Sequence, residues 1–149
     1  METKNSLFVC ESSTLSFSTT AGTDVIDITR PVADKVADSG IAEGQVLVFT
    51  PGSTAALTTI EYESGVVRDL IEAIERIAPK DMEYRHDARW GDGNGYAHVR
   101  SALLGPSLAV PITNGRLALG TWQQIVLIDF DNRPRKRQVI VQASGLKSR

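Results

Sequence analysis

The sequence predicts an α+β domain with a largely antiparallel sheet, and three observations carry that prediction. Short β-branched runs with a period of two recur along the chain. Two segments repeat their apolar residues at the helical period instead. Tight-turn signals such as Asn114-Gly115 join neighbouring runs, as hairpins require. Strands joined in hairpins with helices interspersed favour an antiparallel arrangement over a parallel one. The 149 residues contain no repeat, linker or low-complexity tract, so one domain spanning 1–149 is expected.

Each element has a local reason. In residues 6 to 20, Leu15 and Phe17 alternate with Thr14, Ser16 and Ser18, as in a half-buried strand. Cys10 on that strand reads as a small buried residue rather than a nucleophile. DVIDIT (24 to 29) is a second short strand. Thr29 and Pro31 open a helix, Val32, Ala33, Val36 and Ala37 form its apolar stripe, and Gly40 stops it. QVLVFT (45 to 50) and ALTTIEYE (56 to 63) are further strands. From Ser64 to Ala78, Val67, Leu70, Ile71, Ile74, Ile77 and Ala78 share a helical face, and Pro79 ends it. A shorter helix runs through VRSALLG. SLAVPIT and RLAL flank Asn114-Gly115 as a hairpin. TWQQIVLIDFD (121 to 131) is apolar on both faces in its middle, which predicts a central strand covered by helices, another sheet or another subunit. DNRP then turns, and RQVIVQA (137 to 143) is expected to pair with the strand before it.

Composition narrows the function classes. Hydrophobic content of 42% and charged content of 23% are those of a soluble globular protein. A net charge of -2 gives no general attraction to nucleic acid or anionic membrane, so neither is an expected partner. A single cysteine excludes an internal disulfide and a thiolate zinc site. With no secretory leader pattern and no apolar run of spanning length, a cytoplasmic location is expected.

The candidate chemistry lies in three places. Arg133, Arg135, Lys136 and Arg137 would suit phosphate, but such a run more often forms a solvated hairpin tip. TPGSTAAL (50 to 57) follows a strand and offers Gly52, Ser53 and Thr54 to an anion, although it lacks the lysine and spacing of a P-loop. HDARWGDGNGYAHVRSALLG (86 to 105) holds both histidines of the chain, His86 and His98. Gly93 and Gly95 between them allow tight turns, and His98 falls in the first turn of a helix. Two converging imidazoles suit a divalent transition metal or acid–base work near neutral pH. The plainer alternative is that each simply bonds within a turn.

HDARWGDGNGYAHVRSALLG, PSLAVPI, NGRLALGTWQQI and DFDNRPRKR, in that order, closely resemble the YjbQ family, small proteins often described as secondary thiamine-phosphate synthases. The likeness reaches back through FTPGSTAALTTIEYE and covers about residues 5 to 145. It implies a compact α+β homotrimer with a histidine-centred pocket, in some members holding a metal such as zinc. It also implies a transferase that joins a hydroxymethylpyrimidine pyrophosphate to a thiazole phosphate. Many members read P-H-T-S-A where this chain has Pro51, Gly52, Ser53, Thr54 and Ala55, so a third histidine is replaced by Gly52. The N-E that follows in the family becomes Ile60 and Glu61. The resemblance therefore implies His98, His86 and Glu61 as catalytic residues, with His86 and His98 also the candidate metal ligands. Glu61 or Asp92 would be the replacement ligand. Ser53, Thr54, Asn94 and Arg116 would contact a phosphorylated substrate. The alternative is a non-catalytic small-molecule or anion-binding trimer that has lost the chemistry with the histidine.

Overall fold

The computed structural model describes residues 6–147. It contains β1 (Phe8–Ser18), β2 (Asp24–Asp27), α1 (Thr29–Ser39), β3 (Ile41–Phe49), β4 (Ala55–Ile60), α2 (Ser64–Ile77), α3 (Arg85–Trp90), α4 (Gly95–Leu104), β5 (Ser107–Thr113), β6 (Arg116–Leu117), β7 (Gln124–Asp129) and β8 (Lys136–Lys147). Every strand pairing is antiparallel. The α+β expectation therefore holds, with two sheets: β1-β8-β3-β5-β6 and β2-β7-β4.

The sheets stack in layers because β7 is apolar on both sides. Its Ile125 and Leu127 face the five-stranded sheet and meet Val46, Val48, Val139 and Val141, with Val32 and Val36 of α1 beside them. Val126, Ile128 and Phe130 face the other way, against Ile74 of α2 and Tyr96 and Ala97 of α4. Full burial of each such side chain stabilises the fold by roughly 1.5–3 kcal/mol. The predicted central strand is thus covered on both faces by its own chain.

Helix boundaries follow local signals. Gly40 ends α1 in the left-handed region with φ 67°, as its position predicts. The Glu63 side chain accepts from the N–H groups of Gly65 and Val66 at the start of α2. Those two bonds hold its carboxyl below the usual glutamate range.

Three expectations fail. The strand at 137–143 does not pair with its predecessor: β8 crosses to the other sheet and lies between β1 and β3. Cys10 points outward from β1 and is exposed. The basic run is not a solvated tip, since Arg137 is buried and Arg135 half-buried, leaving Arg133 and Lys136 exposed. Arg137 shares the inward parity of Val139 and Val141, so its guanidinium enters the space between the sheets.

β3 and β8 approach so closely that side chains are excluded where Gly44 faces Gly145. A Cβ on Gly44 would lie 2.0 Å from the Ser144 carbonyl oxygen, and one on Gly145 would lie 2.2 Å from that of Glu43. Among the described residues no helix is long and apolar enough to cross a membrane.

Candidate functional site

At one end of the sandwich, β7 runs out into two acidic residues, Asp129 and Asp131, both completely buried. They keep the parity of Ile125 and Leu127 and so face the five-stranded sheet. Arg137 meets Asp129 in a bidentate pair, Nε to Oδ2 at 2.7 Å and Nη2 to Oδ1 at 2.8 Å. Thr19 donates to the same carboxylate at 2.7 Å, which ties the end of β1 to β7. Asp131 receives Thr54 Oγ1 at 3.0 Å, Asn94 Nδ2 at 3.2 Å and Arg135 Nε at 2.9 Å. Burial alone would raise the Asp131 carboxyl, but bonds from the Asn132 N–H, Asn94, Arg135 and Thr54 outweigh it and hold the pKa below the usual value. The Asp129 partnership likewise raises the Arg137 pKa despite burial.

The histidines are delivered to this end by two helices. His86 sits on α3, a helix with no apolar stripe in the sequence to announce it. His98 sits on α4, whose N-terminus is fixed beside Asp131 by Asn94. Asp87 Oδ1 accepts the N–H of Gly95 at 2.8 Å, so a carboxylate caps α4 and clamps α3 against it. Gly95 is required there, because a Cβ would lie 2.5 Å from the Cβ of Tyr84. The glycine-rich loop between the helices is held by Asn132, whose side chain donates to the Asp92 carbonyl at 2.9 Å. Ser101 fixes the next turn of α4 by donating to the Ala55 carbonyl at 2.6 Å.

These restraints bring the imidazoles together. The rings of His86 and His98 have centroids 4.3 Å apart and are tilted by 41°. His86 Nδ1 lies 3.4 Å from Asp87 Oδ1, which orients that ring. Burial, and secondly the neighbouring His86, lowers the pKa of His98 and so favours its neutral form. Asn94 is buried, and its Oδ1 has no donor among the described residues. That leaves an enclosed, unsatisfied acceptor next to the Asp131 carboxylate.

The other candidate residues divide. Thr54 belongs to the cluster, but its hydroxyl is committed: it donates to Asp131 and accepts from Arg137 Nη2 at 2.5 Å. Ser53 is exposed in the loop leading to β4. Asp92 reaches His98 only through its charge, which opposes the lowering of the pKa. Glu61 lies beyond the far end of β4, where Ile60 faces Gln124 rather than Asp129. Seven residues of extended chain separate it from Thr54, about 23 Å at the strand rise of ~3.3 Å per residue. Within one chain it does not reach the histidines. Arg116, in the β5–β6 hairpin, lines a groove with Thr29, Gln123 and Gln124, also at the opposite end of β7. The sequence reading passes over Asp129 and Asp131 and favours a solvated tip for Arg137, although strand parity on β7 and β8 marks all three as inward-facing.

Among the described residues no group of three or more His, Cys, Asp or Glu side chains is placed to hold one ion. A catalytic zinc site takes three protein ligands, and here the two imidazoles supply two.

Comparison with known proteins agrees with this architecture. Residues 13–146 match the family described as UPF0047 protein YjbQ-like. A UPF0047 protein of Archaeoglobus fulgidus is 43% identical over 129 residues, covering 87% of this chain and 98% of the relative. The UPF0047 protein YugU of Bacillus subtilis is 36% identical, covering 89% of this chain and 98% of its own length. Among solved structures, a YbjQ-like protein of unknown function from Sulfolobus solfataricus superposes with a TM-score of 0.89 at 30% identity, covering 93% of this chain and 99% of that one. The chain belongs to the UPF0047 (YjbQ-like) family.

Proposed function

We propose that this chain is an enzyme acting on a phosphorylated small molecule, a transferase of the thiamine-phosphate synthase type, with its reaction centred on His86 and His98. The observation that carries the reading is the contact of the two rings, 4.3 Å between centroids, beside a buried charged cluster. The lowered pKa of His98 favours the neutral ring that accepts a proton or a hydrogen bond, and Asp87 steadies His86 as its partner. In the reaction the thiazole nitrogen forms a bond to the pyrimidine methylene carbon as the carbon–oxygen bond to pyrophosphate breaks. Positive groups near the departing oxygens ease that step by offsetting their developing charge. Ser53 is the exposed hydroxyl available to a phosphate. Glu61 and Arg116 have no part in the site within one chain, and no step passes through a metal.

The proposal includes a cytoplasmic homotrimer. Phe8, Leu47 and Leu146 are exposed on the outer face of the five-stranded sheet, with Phe8 directly opposite Leu146, and that uncovered face supports self-association. The test of the function is product formation from the two phosphorylated substrates by tag-free protein. His98→Ala is expected to abolish turnover and leave the oligomer intact, whereas full activity in that variant overturns the role.

A second reading, a non-catalytic anion-binding protein, is favoured by the incomplete ligand set around the histidines. Absence of metal, no turnover and stabilisation by phosphate compounds would together select it. Stoichiometric zinc or another transition metal would count against it.

A further inference from the structure

We infer that Gly52 opens an oxyanion subsite on Arg137, built from the free edge of a buried guanidinium and the unpaired amides of residues 52 to 54. The inference deepens the reading of this end of the sandwich as a site for phosphorylated molecules and rests on it. Arg137 is 9% exposed, and its Nε and Nη2 atoms are committed to Asp129 and Thr54. Nη1 has no hydrogen-bond partner among the described residues. It lies directly beneath Gly52, which is exposed. The residue over that opening is Gly52, and a Cβ there would lie 3.3 Å from Nη1. Any side chain at position 52 would therefore cover the donor.

The loop supplies further donors. Gly52 adopts φ 128°, a left-handed conformation that favours glycine. The N–H groups of Gly52, Ser53 and Thr54 have no intramolecular acceptor among the described residues. Successive free amides beside a guanidinium form a concavity suited to a phosphate group. The guanidinium is held rigidly from behind by Asp129, so a ligand meets a donor that is already oriented. Asp129 and Asp131 are balanced by Arg137 and Arg135, and the exposed Arg133 and Lys136 on the same connection add positive charge. The ligand class is a terminal phosphate or pyrophosphate group, distinct from the part of the substrate that meets the histidines.

Inorganic phosphate and pyrophosphate are the probes, with calorimetry for affinity and NMR of the arginine side-chain N–H groups for location. In the natural chain the Arg137 Nη signals are expected to shift on titration. Gly52→His is expected to weaken binding at least tenfold by covering Nη1, with Ser53→Ala losing less. No binding, binding that leaves the Arg137 signals unmoved, or undiminished binding by folded Gly52→His would each overturn the subsite. Since the readout in the natural chain needs no substitution, a variant that fails to fold does not blunt the test. Repeating the titration on His98→Ala separates the two proposals: phosphate binding retained without turnover leaves the subsite standing on its own.

Discussion

Replacing Arg137 by methionine is expected to remove a large part of the stability of the fold. Asp129 is fully buried and accepts four bonds, two of them from Arg137 and the others from Thr19 and the Asp131 N–H. Arg137→Met keeps the apolar stem but leaves a buried carboxylate with neutral donors alone. Breaking one side of such a pair costs about 3–5 kcal/mol. Total stability for a domain is about 5–15 kcal/mol, so the loss is a major fraction of it. In a chain of this size that corresponds to a Tm lower by roughly 6–20 °C. Arg135→Met is the internal control. Arg135 is 32% exposed, and its partner Asp131 keeps bonds from Thr54, Asn94 and the Asn132 N–H. Its loss is expected to cost about 1 kcal/mol or less. Urea denaturation of both variants, followed by circular dichroism, measures the difference. If Arg137→Met stays within about 1 kcal/mol of the natural chain, or the two variants lose equally, the ion pair does not join the sheets as described.

Other predictions concern the histidines and the close approaches. The depressed pKa of His98 means that the unfolded chain takes up its proton first as pH falls below the ordinary histidine value of about 6.5. Stability is therefore flat above that value and declines between it and the lower folded-state pKa; His98→Gln should remove this decline, read from urea midpoints at pH 7.5 and 5.5. The lowered Asp131 pKa acts in a separate window, stabilising above the ordinary carboxylate range and fading as pH falls through its folded-state value. Gly95→Ala forces α3 away from α4 at Tyr84, so it should cost about 1–3 kcal/mol and separate the histidine ring signals in NMR. Gly44→Ala meets backbone on β8 and is expected to cost at least as much, measured as a fall in the urea midpoint.

Much of the architecture was legible because the responsible signals are local. The stripe from Val67 to Ala78 specified α2, Gly40 specified the end of α1, and the doubly apolar middle of β7 specified a central strand. The pairing of β8 was not legible. A short turn beside two strands suggests a hairpin, while the crossing of β8 to the other sheet depends on which faces must meet across the core. The basic run was misread for a related reason: charge density pointed to solvent, whereas strand parity places Arg137 inward with Asp129 waiting for it. The histidine pair was visible as two residues, but their contact depends on α3, which has no apolar stripe to mark it. The family resemblance implies Glu61 as a site residue, yet the extended β4 carries it to the end of the strand opposite Asp129.

The proposed function rests on the His86–His98 contact as a working site for a phosphorylated substrate. The measurement that tests it most directly is the turnover of tag-free protein with the pyrimidine pyrophosphate and thiazole phosphate pair, compared between the natural chain and His98→Ala at equal oligomeric state. The account predicts product and pyrophosphate release by the natural chain and their loss in the variant. Equal turnover by the two proteins would contradict it.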